Sequence, residues 1–202
     1  MALGMLVNMK YCTGCDACTM ACKESHGNPA GVFFTHLDVK EEGTFPDAIE
    51  IRRPVACNHC DAAPCVEACK FDATHKYDNG LVAVDHEKCT GCEECVAACP
   101  YGARTYIGSP EGYFDGSLTA QEAAMYAALA EKTTYKCDWC AARRAAGEDP
   151  ACVQTCPAQA RFFGDVDDPE SAIGKELERW KDELETLPAA DQTKPRLYYV
   201  KA

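Results

Sequence analysis

The sequence predicts an α+β fold made of two small related units, one inserted in the other, with connecting loops, an inserted helix and a C-terminal helix. Three observations lead there. Sixteen cysteines in 202 residues fall into four groups of four, with none left over. Two groups lie close together in the middle of the chain and the other two flank them. Short strand-like runs stand before the first group and after the last.

The length allows one or two small domains. Cysteine at 16 of 202 residues is near the level where a metal or disulfide scaffold replaces part of the ordinary core. The start, MALGMLVNMKYC, has no charged region, long apolar stretch or small-residue cleavage site of the kind that marks a secreted chain. The pairs Arg52-Arg53 and Arg143-Arg144 are internal, so neither reads as a twin-arginine signal. The longest apolar run, AAMYAALA at 123–130, is far short of a bilayer span and reads as helix. The expectation is no membrane insertion by this chain. A formal charge of −12 excludes nucleic acid, which demands a basic face.

The groups differ in spacing. The first is Cys12, Cys15, Cys18 and Cys22, and the third is Cys89, Cys92, Cys95 and Cys99 followed by Pro100. Each steps twice by three residues and once by four. The second is Cys57, Cys60, Cys65 and Cys69; the fourth is Cys137, Cys140, Cys152 and Cys156 followed by Pro157. The third group, KCTGCEECVAACP, matches the bacterial ferredoxin run that binds a [4Fe–4S] cluster. In that run three cysteines wrap one cubane and the fourth reaches a neighbouring one. Gly91 permits the tight curl, and the proline ends the short helix and starts a strand. Zinc is the competing reading for groups two and four, since zinc ribbons pair two CxxC elements. Three cysteines at successive three-residue steps do not suit zinc, and a disulfide framework leaves the repeated spacing unexplained.

Two clusters per ferredoxin-like unit make four groups two units. Residues 50–108, with groups two and three, form the inner unit. Asn79-Gly80 between THKY and LVAV signals a type I′ hairpin within it, and RTYIG after Pro100 is its closing strand. Residues 1–49 and 109–168, with groups one and four, form the outer unit, flanked by the strands MLVNM and ARFFGDV. Residues 24–50 read as a loop with one or two strands, VFFTHLDV among them. The first group lacks a closing proline because its helix continues about a turn past Cys22, to Gly27-Asn28-Pro29. Residues 109–134 are an inserted segment whose helix starts at Thr119, with Glu122 completing a capping box. Residues 169–202 hold a helix with Ile173, Leu177, Trp180 and Leu184 on one face, stopped by Pro188, and a closing strand, PRLYYV.

No Ser-His-Asp order, phosphate loop or HExxH appears, so no catalytic residue is expected in this chain. Five histidines are present, and His59, inside CNHC, reads as a neighbour of the ligands or a surface residue rather than a ligand. Trp139, inside CDWC, is placed to shield a cluster from water. Lys88 and Lys136 precede first cysteines and are placed either to offset cluster charge or in solvent.

The four groups in this order, ending CxxC-x11-CxxxCP, resemble the four-cluster electron-transfer (beta) subunits of the DMSO reductase family of molybdopterin oxidoreductases. The resemblance covers roughly residues 3–165 and all sixteen cysteines. It implies four [4Fe–4S] clusters. Cluster one would take Cys12, Cys15, Cys18 and Cys156; cluster two Cys57, Cys60, Cys65 and Cys99; cluster three Cys89, Cys92, Cys95 and Cys69; cluster four Cys137, Cys140, Cys152 and Cys22. Nitrate-reductase relatives carry tryptophan for one cysteine of the third group; Cys92 is intact here. The resemblance also implies a large catalytic subunit holding the molybdopterin, with molybdenum or tungsten. A membrane anchor, quinone subunit or other electron carrier would be the second partner. The expected location is cytoplasmic, or at a membrane through a partner, with co-export on a partner's signal as a variant. The alternatives are a free-standing polyferredoxin and a subunit of an aromatic-ring dehydroxylase or transhydroxylase.

Overall fold

The computed structural model describes residues 1–202. Strand β1 (Leu3–Asn8) is buried along its whole length. A strand covered on both faces reads as a continuous apolar run, and LGMLV does so. Helix α1 (Ala17–His26) follows the first cysteine loop and ends at Gly27, whose φ is 59° and whose N–H bonds the Glu24 carbonyl. Left-handed glycine is a common helix stop, and it falls one turn past Cys22, where the sequence places it.

Strands β2 (Thr35–Glu42) and β3 (Ile49–Ala56) pair as an antiparallel ribbon from Thr35–Ala56 at the base to Glu42–Ile49 at the tip. Only the base is buried. The β2 strand starts after the VFF of VFFTHLDV, and β3 crosses residue 50, the expected edge of the inner unit. Helix α2 (Pro64–Glu67) begins with proline at its first position, where the missing N–H costs nothing. Strands β4 (Thr74–Lys76) and β5 (Val82–Val84) form the expected hairpin. Its turn is not type I′. Gly80 has φ 88° while Asn79 is not in the left-handed region, and Gly80 N–H bonds Tyr77 O while Tyr77 N–H bonds Leu81 O. The loop is therefore a three-residue turn closed by a left-handed glycine.

Helix α3 (Glu94–Ala97) is a single turn in the third group. Strand β6 (Thr105–Ile107) is the RTYIG strand. Helix α4 (Ala120–Tyr126) carries the expected capping box, with Thr119 Oγ1 accepting from Glu122 N–H and Glu122 accepting from Thr119 N–H. Strand β7 (Thr133–Tyr135) pairs antiparallel with β6. The sequence does not signal it: TTY is too short to show alternation. Helix α5 (Ala141–Ala145) opens the long spacer of group four, and α6 (Ala151–Gln154) begins at its end.

Strand β8 (Arg161–Asp165) follows, then helix α7 (Ala172–Arg179), a 3₁₀ turn at Lys181–Glu183, strand β9 (Leu184–Glu185), helix α8 (Ala190–Thr193) and strand β10 (Leu197–Val200). Four strands make the main sheet in the order β8-β1-β10-β9. Strand β1 pairs antiparallel with β8 and parallel with β10. The N-terminus is thus held between the strand after the last cysteine and the closing strand. The C-terminal helix stops sooner than Pro188, and Leu184 lies in β9. Its stripe is core all the same: Ile173 is fully buried against Leu6 and Val200, with Leu177, Trp180 and Leu184 packed around them.

Candidate metal centres

The sixteen cysteines form no disulfide. They meet in four cavities, four to each. One is lined by Cys12, Cys15, Cys18 and Cys156. A second is lined by Cys57, Cys60, Cys65 and Cys99. A third takes Cys69, Cys89, Cys92 and Cys95. The fourth takes Cys22, Cys137, Cys140 and Cys152. In every cavity three cysteines come from one group and one comes from another.

The local backbone repeats in the same pattern. Groups one and three share a left-handed glycine, Gly14 and Gly91, and a left-handed residue after the second cysteine, Asp16 and Glu93. Groups two and four instead hold His59 and Trp139 in the left-handed region. The N–H of each donates to the sulfur two residues back: His59 to Cys57 Sγ at 3.5 Å and Trp139 to Cys137 Sγ at 3.4 Å. After the last cysteine of groups two, three and four, the residue three places on is left-handed too: Asp72, Gly102 and Gln159. That bend turns amides back onto sulfur, with Thr74 N–H on Cys69 Sγ and Ala160 N–H on Cys156 Sγ, both at 3.3 Å. Donors on sulfur stabilise the thiolate and tune a bound centre.

Burial pushes the Cys137 thiol well up and those of Cys12, Cys65 and Cys152 up, and it carries Cys60 to about 12. Such thiols ionise only beside a compensating cationic centre. Cys69 goes the other way: burial raises it, but the N–H groups of Thr74, Phe71 and Ala73 outweigh that. Lys136 is buried, with Nζ donating to Cys137 O at 2.7 Å. Lys88 is exposed and pairs with Asp85 at 3.7 Å. Trp139 is 1% exposed and packs at the fourth cavity. His59 is fully buried, not at the surface. Its Nδ1 accepts the Val82 N–H at 3.0 Å, so the ring proton sits on Nε2. Burial, with Lys136 and Arg144 nearby, keeps the ring neutral.

Sequence reasoning passes over three residues. His26 closes α1 onto the fourth cavity, its Nε2 3.1 Å from Asp138 Oδ1 and its Nδ1 3.8 Å from Cys22 Sγ. Arg104 and Arg161 are buried among the cysteines. Their signal is a repeat, CPYGAR and CPAQAR, in which the arginine stands five places after the cysteine.

The donor set separates zinc from clusters. Four thiolates on one tetrahedral zinc lie about 3.8 Å apart, from a Zn–S bond of about 2.3 Å. The one group of three ion-binding side chains with ligand atoms all within 4.8 Å of one another is His26, Asp138 and Cys140. No cysteine set is that tight. Cysteines spaced more widely than that suit a cubane, which is larger than a single ion. Fold and site together define an iron–sulfur protein of the ferredoxin type.

Comparison with known proteins agrees. A 4Fe-4S dicluster domain matches residues 50–108 and 122–166, and a 4Fe-4S binding domain matches residues 9–25. The iron–sulfur subunit of arsenate respiratory reductase from Shewanella sp. (strain ANA-3) is 34% identical, over all of this chain and 97% of its own length. A tetrathionate reductase subunit of Salmonella typhimurium is 35% identical, over 97% of this chain and 71% of its own. The thiosulfate reductase electron transfer subunit of Salmonella typhi is 36% identical, over 87% of this chain and 79% of its own. The chain belongs to the iron–sulfur electron-transfer subunits of the DMSO reductase family of molybdopterin oxidoreductases. These relatives are subunits of complexes, which does not favour a free-standing polyferredoxin.

Proposed function

We propose that this chain holds four [4Fe–4S] clusters and relays electrons between a molybdopterin catalytic subunit and a second electron partner. The reading rests on one observation: sixteen unbonded cysteines gather four by four into cavities joined one to the next by shared or contacting residues. Arg161 lines both the Cys12 and the Cys22 cavities. Trp139, at the Cys22 cavity, stacks on His59, at the Cys57 cavity. Thr74, at the Cys69 cavity, accepts from Arg104, at the Cys57 cavity. The order is therefore one, four, two, three.

In this reading each cavity is one centre. Cluster one takes Cys12, Cys15, Cys18 and Cys156, and cluster four takes Cys137, Cys140, Cys152 and Cys22. Cluster two takes Cys57, Cys60, Cys65 and Cys99, and cluster three takes Cys89, Cys92, Cys95 and Cys69. Groups one and four close the outer unit and groups two and three the inner one. The pairing of β1 with β8 across the whole insertion supports that nesting. Bound clusters supply one-electron carriers; the chain holds them in series, desolvates the middle of the series and leaves its ends open. Cys15 and Cys92, one in each end cavity, are the exposed cysteines. They mark where electrons enter and leave.

No helix is long and apolar enough to cross a membrane. Attachment to one would run through a partner, such as a quinone-linked anchor subunit. The test of the subunit reading is purification of the untagged protein from its native cell. It should travel with a large molybdopterin protein. Migration alone, at the 22.0 kDa of the single chain, would overturn it.

A further inference from the structure

Arg161 and Arg104 are each 4% exposed. Neither has a carboxylate partner. Arg161 Nη2 donates to Met5 Sδ at 3.1 Å, while Nε and Nη1 are buried without an acceptor. Arg104 Nη1 donates to Thr74 Oγ1 at 3.1 Å, while Nε and Nη2 are buried without an acceptor. A buried, unpaired cation costs several kcal/mol, so an anion belongs opposite each. Both side chains face cysteine cavities. Arg161 lies between the first and fourth, and Arg104 between the second and third.

The two positions are equivalent. CPYGAR (99–104) and CPAQAR (156–161) put an arginine five residues after the last cysteine of groups three and four. CKFDAT (69–74) puts Thr74 at the same place after group two, and this threonine is the one Arg104 bonds. Each unit thus carries one buried arginine between its two cavities.

We propose that Arg161 and Arg104 are the charge-compensating residues of the two cluster pairs, each holding up the reduction potentials of the two clusters it lies between. The inference rests on the four-cluster reading. A [4Fe–4S] core with four thiolates carries about −2 when oxidised and gains one more negative charge on reduction, so a fixed cation beside it favours the reduced form. Arg161 lines both the Cys12 and the Cys22 cavities. Arg104 lines the Cys57 cavity and donates to Thr74, which lines the Cys69 cavity. Each arginine therefore adjoins both cavities of its unit.

The test is an EPR-monitored redox titration of the anaerobically purified complex, with iron counted in each preparation. Arg161→Met and Arg161→Gln should move clusters one and four to more negative potential by at least tenfold in the reduction equilibrium, or about 59 mV for a one-electron couple. Clusters two and three should stay in place, and Arg161→Lys should restore most of the shift. Arg104→Gln should give the complementary pattern. Unmoved potentials at full iron content, or an even shift of all four clusters, would overturn the inference and leave the four-cluster reading intact. A shortage of iron in the unaltered protein would instead remove the reading itself. If Met and Gln variants both lose iron, retention by the Lys variant supports a need for charge. Loss by the Lys variant too would mean that shape matters and charge does not.

Discussion

The His59 imidazole stacks on the Trp139 indole, ring centroids 3.8 Å apart and planes 27° from parallel. Both residues hold the third place of a CxxC, both are left-handed, and both donate N–H to the sulfur two residues back. The pair therefore joins two cavities through equivalent loops. Phe163 also packs against Trp139, edge to face with ring centroids 5.4 Å apart. Such contacts add to the area a large ring buries.

Trp139→Ala should cost about 3–5 kcal/mol of stability, the usual loss for a buried tryptophan. It should also bleach the iron–sulfur absorbance faster in air, because water gains the junction. Trp139→Phe should recover most of both. Anaerobic denaturant unfolding and the bleaching rate check this. Unaltered bleaching in the alanine variant would remove the shielding role.

Gly14 and Gly91 occupy equivalent loops with similar φ, yet their substitution should differ. A Cβ on Gly91 would stand 2.3 Å from the Lys132 backbone oxygen; one on Gly14 would stand 2.5 Å from Arg52 Cδ and 2.7 Å from Arg52 Cβ. Arg52 Cδ can swing aside and its Cβ yields only if the exposed β2–β3 ribbon shifts, whereas the Lys132 carbonyl is itself main chain. Gly91→Ala should lose one cluster's worth of iron, roughly a quarter of the total, while Gly14→Ala should lose less. Equal losses would contradict this reading of the two loops.

Much of this is legible in the sequence because cysteine spacing is a local geometric code. The four groups, the helix stop at Gly27 and the capping box at Thr119 each depend on a few adjacent residues. The short β6–β7 pairing and the three-residue turn at Gly80 are not legible, since three-residue strands carry no period and Asn-Gly serves more than one turn. Leu184 keeps helical spacing but is drawn into β9 by pairing with Val200. The buried arginines escape notice because one sequence shows only their spacing. Their lack of acceptors is a property of the folded chain.

Helix α7 should contribute stability without touching the metal centres. Ile173→Ala should cost about 2–5 kcal/mol. Ser171→Ala should cost about 0.5–2 kcal/mol, since its Oγ accepts the Gly174 N–H at 2.9 Å. Iron content in both should match the unaltered protein. Selective iron loss would show that the helix also holds a cavity in shape.

Ligand exchange between groups makes a sharper demand. Cys22→Ser should perturb the EPR signal of the cluster on Cys137, Cys140 and Cys152, where Cys22 lies in the structure. The cluster on Cys12, Cys15 and Cys18 should keep its signal, because its fourth cysteine is Cys156. The reverse outcome would contradict the pairing.

The most direct measurement is the iron and acid-labile sulfide content of the anaerobically purified chain. Four cubanes predict about sixteen irons and about sixteen sulfides per chain. Zinc in place of iron, or iron without sulfide, would contradict the account.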